Sequence, residues 1–175
     1  GRVDMCVANA GITGQAKSFF DISADEWRRV LSVNLDGVFF TLKAAAKHMS
    51  GRARNGDPGG RLVATASLAA ISGAARNEHY AATKGGVISM IRALSVEFAR
   101  DGVTANAVLP GWIETDMTEN LTNWDKFSDT ILPRIPARRW GKPNDFGAIA
   151  VYLMSDASSY HTGDTFLIDG GYFLF

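Results

Sequence analysis

The sequence predicts an α/β protein in which helices cover both faces of a doubly wound parallel sheet. Short apolar runs alternate along the chain with longer amphipathic stretches, a pattern typical of strand–helix units. The apolar runs are continuous rather than strictly alternating, which favours strands that are buried on both faces. No repeat, low-complexity tract or charge block divides the 175 residues. We therefore expect a single domain over residues 1–175, long enough to bury its own hydrophobic core.

Four segments are expected to form the strands. Each of them is short, apolar and bounded by glycine, proline or polar residues. They cover residues 3–8, 61–66, 103–109 and 165–168.

Three long helices are expected between and after these strands. Ser23 and Glu26 have the spacing of a capping box, which predicts a helix that begins after Ser23 and continues to about residue 49. A second helix is expected to begin near His79 and to end at Gly102, because glycine is the typical C-cap residue. The third is expected to begin at Pro143, since proline is favoured in the first helical turn.

Residues 112–136 are interpreted as a substrate loop. From residue 114 onwards they lack a clean period, and they follow the end of a strand. A long irregular segment in a compact domain is usually functional or disordered. Four aromatic side chains suggest an apolar or ring-shaped ligand near this loop: Trp112, Trp124, Phe127 and Trp140. The tryptophans, with Trp27, are interpreted as packing residues rather than as a nucleic-acid stacking platform.

Composition and charge exclude several classes of function. Eighteen Lys and Arg balance eighteen Asp and Glu, so no polyanion-binding surface and no nucleic-acid partner are implied. The single cysteine, Cys6, cannot form an internal disulfide and suits a reducing, cytoplasmic compartment. The apolar stretch over residues 148–154 is far shorter than the ~20 residues that span a bilayer, so no membrane partner is expected. His48, His79 and His161 do not have the spacing of metal ligands, and no metal site is expected.

Several polar or small residues directly follow the predicted strands. In open α/β sheets, ligands bind outside the carboxyl ends of the strands. Tyr80 and Lys84 are four residues apart near the start of the second helix, which places both side chains on one face. The residues at the strand ends are Asn9, Ala10 and Gly11, then Ser67, then Pro110 and Gly111, with Thr115 in the same turn.

The Tyr80–Lys84 pair has the chemistry of a general acid–base. A free phenol has a pKa near ~10, and lowering it by ~2–3 units requires about 3–4 kcal/mol of extra phenolate stabilisation. An ammonium about 4 Å away supplies up to ~4 kcal/mol at an effective dielectric constant of ~20. Lys84 is therefore predicted to lower the pKa of Tyr80, while Ser67 could hold a substrate oxygen without adding charge.

Each of these residues also has an ordinary structural interpretation. A tyrosine and a lysine at this spacing occur on many helix surfaces, and Ser67 taken alone is a hydroxyl at a strand end. Asn34 could cap a kink in its helix, and residues 9–11 could be a simple turn. The order and spacing of the set together favour a shared site at one edge of the sheet.

In these residues and their spacing, the chain resembles the short-chain dehydrogenase/reductase family, and the resemblance extends over nearly all of its length. Residues 8–11, Ala-Asn-Ala-Gly, resemble the family's Asn-Asn-Ala-Gly motif, with alanine in place of the first asparagine. Asn34 matches the helix asparagine of the family's catalytic tetrad. Ser67 precedes Tyr80 by the usual thirteen positions, and residues 80–84 fit the Tyr-x-x-x-Lys signature. Residues 110–115 and 163–171 are similar to the nicotinamide-contacting segment and to the last strand of the family.

The resemblance implies a Rossmann-like fold and an NAD(P)-dependent enzyme that interconverts a carbonyl and a secondary alcohol. Tyr80 would be the general acid–base, and Lys84 would lower its pKa and bind the nicotinamide ribose. Ser67 would orient the substrate oxygen, and Asn34 would hold a water that links Lys84 to solvent. The most similar members are 3-oxoacyl-carrier-protein reductases and sugar or polyol dehydrogenases. The cofactor, NAD or NADP, would contact Asn9, Ala10, Gly11, Tyr80, Lys84, Pro110, Gly111, Ile113 and Thr115.

In one respect the sequence departs from the family pattern. The family binds the pyrophosphate with a glycine-rich turn after its first strand, and residues 11–14, Gly-Ile-Thr-Gly, lack the required spacing. By the resemblance, this chain begins at the fourth of seven strands and contains the contiguous C-terminal half of the sheet. We therefore expect part of a longer enzyme. The alternative is a truncated, non-catalytic relative that acts as a structural or interaction module.

A homotetramer is also expected. The helices over residues 36–49 and 79–100 have longer apolar faces than one sheet face requires, and the C-terminal residues 172–175 are strongly apolar. Members of the family pair these helices across a two-fold axis, which implies a tetramer built of dimers.

Overall fold

The sheet consists of four parallel strands whose order follows the chain. A computed structural model describes residues 1–15 and 18–175. The strands are β1 (Met5–Ala8), β2 (Gly60–Thr65), β3 (Val103–Pro110) and β4 (Thr165–Ile168), in the order β1-β2-β3-β4. Every neighbouring pair is parallel. The predicted parallel sheet and its contiguous strand order are confirmed.

The first predicted helix is one continuous helical segment with a π turn inside it. It comprises α1 (Ala24–Leu31), the π turn Ser32–Asp36 and α2 (Gly37–Arg54). The hydroxyl of Ser23 accepts a hydrogen bond from the Glu26 amide at 3.1 Å, as the capping box predicts. The Glu26 carboxylate, however, does not accept a hydrogen bond from the Ser23 amide, as a full capping box requires. It accepts from the Gln15 amide and from Arg29 instead. Only half of the predicted capping box therefore forms.

The remaining helices cover both sides of the sheet. Gly102 ends the α4 segment in the left-handed conformation, with φ of 71°, which confirms the predicted C-cap. A 3-10 turn, Pro143–Phe146, leads into the helix that was predicted to begin at Pro143. The helices are α3 (Ala69–Ser72), α4 (Glu78–Glu97), α5 (Glu119–Thr122), α6 (Asp125–Ile131) and α7 (Gly147–Met154).

The two faces of the sheet are covered by different helices. Leu62 and Ala64 of β2 pack with α2 and α4, whereas Val63 packs on the other face with Leu153 of α7. This alternation follows from the two-residue period of a strand. Seven of the eight residues of β3 are buried, as expected for a strand with helices on both sides. The sheet is therefore doubly wound, as predicted.

The segment predicted to be an irregular substrate loop is largely helical. It contains α5, α6 and the 3-10 turn Leu132–Arg134. Trp112, Phe127 and Trp140 pack together in a small apolar cluster, with 5.1 Å between the ring centroids of Trp112 and Phe127. Trp124 is about half exposed. Three of the four aromatic residues thus pack against one another.

No helix in the described part of the chain is long and apolar enough to cross a membrane.

Candidate active site

A cavity of about 860 Å³ lies at the carboxyl ends of the first three strands. Its wall combines the loop after β1, the segment after β2, the start of α4, the turn after β3 and, from the segment that contains α7, residues between Pro143 and Leu153. Parallel strands end at the same edge of a sheet, so residues far apart in sequence meet here. Among the predicted site residues, those that line it are Asn9, Ala10, Gly11, Ser67, Tyr80, Lys84, Pro110, Gly111, Ile113 and Thr115.

Lys84 is almost completely buried at the floor of this cavity, with 3% of its surface exposed. Its Nζ donates a hydrogen bond to the main-chain oxygen of Thr65 at 2.7 Å. It lies 5.7 Å from the centroid of the Tyr80 ring. Burial penalises the charged form of the amine and lowers its pKa to about 8.

Tyr80 lines the cavity and is hydrogen-bonded to the side chain of Ser67. Burial raises the pKa of its phenol above the ordinary value, and a hydrogen bond from Ser67 offsets this only in part. The prediction that Lys84 lowers the pKa of Tyr80 is therefore wrong for this arrangement. It assumed a fixed ammonium about 4 Å away at an effective dielectric constant of ~20, whereas the Lys84 ammonium is itself desolvated and bonded to Thr65.

Gly11 brings the loop after β1 against the buried end of Lys84. A Cβ at this position would lie 3.3 Å from Lys84 Nζ and 3.4 Å from Asn34 Oδ1. The backbone approaches these side chains closely because glycine has no side chain. Gly111 is more tightly constrained, since a Cβ there would lie 2.5 Å from the Cβ of Asp169.

Asn34 is fully buried and, among the residues that the structure describes, lies behind the cavity wall rather than in it. It belongs to the π turn Ser32–Asp36, a helix irregularity that is frequent at functional sites and matches the kink that was considered for this residue. Its Oδ1 accepts from the Ile12 amide at 2.8 Å, and its Nδ2 donates to the Ile12 oxygen at 2.9 Å. A longer bond, 3.3 Å, joins Nδ2 to the Thr83 hydroxyl. The side chain of Asn34 therefore holds the loop after β1 in place.

Thr115 is held in a tight turn after β3. The Thr118 hydroxyl accepts a hydrogen bond from the Thr115 amide at 3.1 Å and lies 3.3 Å from the Thr115 hydroxyl. The same hydroxyl also donates to the main-chain oxygen of Ile113. Ile113 in turn forms a bridge with Gly141, which fixes the turn to the rest of the fold.

Three residues that the sequence analysis did not single out support this site. Thr65 accepts from Lys84 and donates its own hydroxyl to Asn9 Oδ1 at 2.8 Å. Thr118 organises the turn of Thr115, and Asn77 bonds to the loop after β1. Thr65 ends β2 two residues before Ser67, so the sequence could have predicted that it lies beside the cavity. The contacts of Asn77 and Thr118 depend on loop geometry, for which the sequence carries no periodic signal.

In the described part of the chain, no three His, Cys, Asp or Glu side chains are grouped so that they could hold a metal ion. The arrangement instead combines two hydroxyls, Ser67 and Tyr80, with one buried amine. Such a set can bind an oxygen atom and transfer a proton to or from it.

Comparison with known proteins assigns the chain to a family. A family model described as "Enoyl-(Acyl carrier protein) reductase" matches residues 1–173. An L-rhamnose 1-dehydrogenase (NAD(P)(+)) from Azotobacter vinelandii is 37% identical over 175 residues, which are 99% of this chain and 66% of that protein. A 3-oxoacyl-[acyl-carrier-protein] reductase from Thermotoga maritima is 41% identical over 171 residues, which are 98% of this chain and 66% of that protein.

Solved structures agree with these matches. The crystal structure of a gluconate 5-dehydrogenase from Burkholderia cenocepacia, in complex with NADP and tartrate, superposes with a TM-score of 0.94 at 34% identity. It covers 100% of this chain, and this chain covers 66% of it. The chain thus spans about two thirds of the length of the relatives that it matches. These matches and the converging Ser67, Tyr80 and Lys84 show that the chain belongs to the short-chain dehydrogenase/reductase family.

Proposed function

We propose that the protein is an NAD(P)-dependent oxidoreductase that interconverts a carbonyl and a secondary alcohol. The observation that carries the proposal is the convergence of Ser67 and Tyr80, from different elements, on a cavity whose floor is a buried lysine, Lys84. A fold alone does not specify function, but this set of groups at the ligand-binding edge of a parallel sheet does favour proton transfer to a bound oxygen.

The residues present fit the nicotinamide and ribose part of a dinucleotide. Lys84 uses one N–H on Thr65 within the described structure, and its remaining N–H donors suit the ribose hydroxyls. Gly11 presents bare backbone beside it, so a sugar could approach closely. When bound, the dinucleotide supplies or accepts the hydride.

The proposed roles follow from what each side chain can donate. Ser67 orients the substrate oxygen, and Tyr80 donates a proton to that oxygen during reduction and removes it during oxidation. Lys84 binds the ribose through the N–H donors that its bond to Thr65 leaves available. Asn34 supports the site through the loop that it holds. The turn that contains Thr115 and Ile113 would contact the nicotinamide carboxamide, and Asn9, Ala10, Pro110 and Gly111 would complete the cofactor contacts.

The relatives suggest two substrate classes for this site. The proteins similar to this chain include an L-rhamnose 1-dehydrogenase, a gluconate 5-dehydrogenase and a 3-oxoacyl-[acyl-carrier-protein] reductase. We propose a small carbonyl or alcohol as the substrate, with hydroxylated sugar derivatives as the first class to assay. A cytoplasmic location, consistent with the single unpaired Cys6, and a homotetramer complete the proposal.

Substitution of Tyr80 tests the proposed reaction. In the purified protein, Tyr80→Phe is expected to lower kcat by on the order of 10²–10⁴-fold with NADH or NADPH and a carbonyl panel, because it removes the proton donor. Dinucleotide affinity should change little. Tyr152→Phe is a matched control, since its hydroxyl bonds to His161 and neither residue lines the cavity. Equal turnover in Tyr80→Phe and the native protein would remove Tyr80 from its role.

A further inference from the structure

Asn77 links the helix that carries Tyr80 to the loop after β1. Its Nδ2 donates a hydrogen bond to the Thr13 hydroxyl at 2.8 Å, and its Oδ1 accepts from the Gly14 amide at 3.3 Å. Both ends of one side-chain amide are thus bonded to residues more than sixty positions away in the sequence. Asn77 is the residue immediately before α4, three positions from Tyr80.

Side chains from several neighbouring elements hold the loop that Asn77 contacts. Residues 9–15 form no helix or strand, and Thr65 of β2 donates to Asn9 Oδ1 at their start. Asn34 bonds to both main-chain groups of Ile12, Asn77 bonds to Thr13 and Gly14, and the Glu26 carboxylate accepts from the Gln15 amide at 3.0 Å. Asn34, in the π turn, and Asn77, immediately before α4, therefore fix three consecutive residues of this loop.

The packing under the loop shows that its position is narrowly defined. The buried imidazole of His79 lies directly below Gly14, where a Cβ would come within 1.8 Å of its Nε2. At the other end of the loop, Gly11 packs against the buried ammonium of Lys84. A shift of the loop relative to α4 would therefore alter the wall of the cavity and the surroundings of Lys84 together.

We propose that Asn77 is a positioning residue that sets the distance between the loop after β1 and the helix of Tyr80 and Lys84, and so tunes dinucleotide affinity. The inference rests on the proposed function, because the two surfaces that Asn77 joins are the two proposed walls of the cofactor site. It assigns Asn77 no direct contact with the substrate or the cofactor.

The test compares Asn77→Ala with Thr13→Val and with the double variant in the purified full gene product. Loss of a hydrogen bond of this kind is expected to weaken binding of NADH or NADPH by about fivefold, measured by fluorescence titration. Because Asn77 and Thr13 act through one bond, the double variant should lose little more than Asn77→Ala alone. kcat at saturating dinucleotide should fall less than twofold, and Asn77→Gln or Thr13→Ser should recover part of the affinity.

Ser72→Ala is the matched control. Its hydroxyl bonds to the Leu68 and Gly73 oxygens within the same β2–α4 connection but not to the loop after β1. It should therefore leave dinucleotide affinity unchanged. A second readout needs no cofactor, since hydrogen exchange at the Gly14 amide should accelerate in Asn77→Ala and not in Ser72→Ala.

The outcomes separate the two proposals. Native protein that binds neither dinucleotide would overturn the proposed function and, with it, the role of Asn77 in cofactor affinity. Native protein that binds, together with an Asn77→Ala variant of equal affinity or strictly additive single effects, would overturn the positioning role alone.

Discussion

The ammonium of Lys84 is buried at the cost of protein stability. Its pKa falls from an ordinary 10.5 to about 8 because the charged form loses its solvation. A shift of that size corresponds to about 3 kcal/mol of unfolding free energy. Below pH 8 the amine is protonated in both the folded and unfolded states, and the full penalty is present. As the pH rises from about 8 towards 10.5, only the unfolded state holds the proton, so this group makes folding more favourable.

Lys84→Met should remove this pH dependence. The variant is expected to be more stable than the native protein at neutral pH by about 1–3 kcal/mol, reduced by the unpaired Thr65 oxygen that it leaves. That advantage should shrink as the pH rises through 8 to 10, because the native protein then sheds its buried charge. Urea unfolding of both proteins across this pH range measures the difference. Parallel curves would mean that the ammonium is better solvated than its burial indicates.

The identities of the candidate residues were predictable from the sequence, but their electrostatics were not. Helical spacing placed Tyr80 and Lys84 on one face, and the structure has both in the cavity wall. The sign of the shift at Tyr80 depends on how deeply each group is buried and on where the Lys84 amine finds an acceptor. The spacing of the two residues encodes neither the burial nor the acceptor. Both the burial of Tyr80 and the bond from Lys84 to Thr65 oppose the predicted lowering of the phenol pKa.

At the scale of elements, prediction succeeded where local patterns decide the structure. The bounds of β4 agree with the apolar run, and those of the other strands differ by no more than two residues. Gly102 ends its helix as glycine's tolerance of positive φ predicts. The segment over residues 114–136 was missed because its helices are short. These short helices are stabilised by the packing of Phe127, Ile131 and Ile135 against neighbouring aromatic side chains, and not by a local periodic pattern of apolar residues.

Arg52 joins three elements in a way that no local pattern predicts. From the last turn of α2 it donates to the main-chain oxygens of Val3 at 2.8 Å and Gly59 at 3.0 Å, and to the carboxylates of Asp4 and Asp57. Its side chain is largely buried, whereas both carboxylates are about half exposed. The stabilisation therefore comes mainly from the hydrogen bonds to main-chain oxygens.

Arg52→Ala is expected to lower the free energy of unfolding by about 2 kcal/mol, because it leaves the Val3 and Gly59 oxygens without their donor. Arg54→Ala is a suitable control. Arg54 is exposed on the same helix and makes no side-chain hydrogen bond within the described structure, so its loss should change stability by less than about 0.5 kcal/mol. Chemical denaturation measures both. Equal effects of the two substitutions would contradict a special role for Arg52.

At the scale of the whole molecule, sheet topology accounts for most of the site. Once the strands are parallel and in chain order, their carboxyl ends meet, and Asn9, Ser67 and Pro110 meet with them. This step needs only the strand assignments, so the sequence was sufficient for it. The hydrogen bonds of Asn77 and Thr118 depend on the conformations of the loops, and sequence patterns do not predict those conformations.

The apolar surface of the molecule is distributed over both sides of the sheet. Phe39 and Phe40 are exposed on α2, which covers one face, and Val151 and Met154 are exposed on α7, which covers the other. Two separate self-complementary patches on opposite faces are what a tetramer built of dimers requires, because each patch pairs across its own two-fold axis. One such patch alone would give only a dimer.

Charge substitutions on the two faces should therefore dissociate the proposed tetramer in steps. Phe40, which is 64% exposed, and Val151, also 64% exposed, offer one position on each face. Phe40→Glu or Val151→Glu alone should each give dimers, and the double variant should give monomers, because a buried unpaired carboxylate opposes each contact. Lys126→Glu, at an exposed position of α6, should leave the assembly intact. Sedimentation velocity at micromolar concentration distinguishes these states, and native protein that sediments only as a monomer would contradict the tetramer.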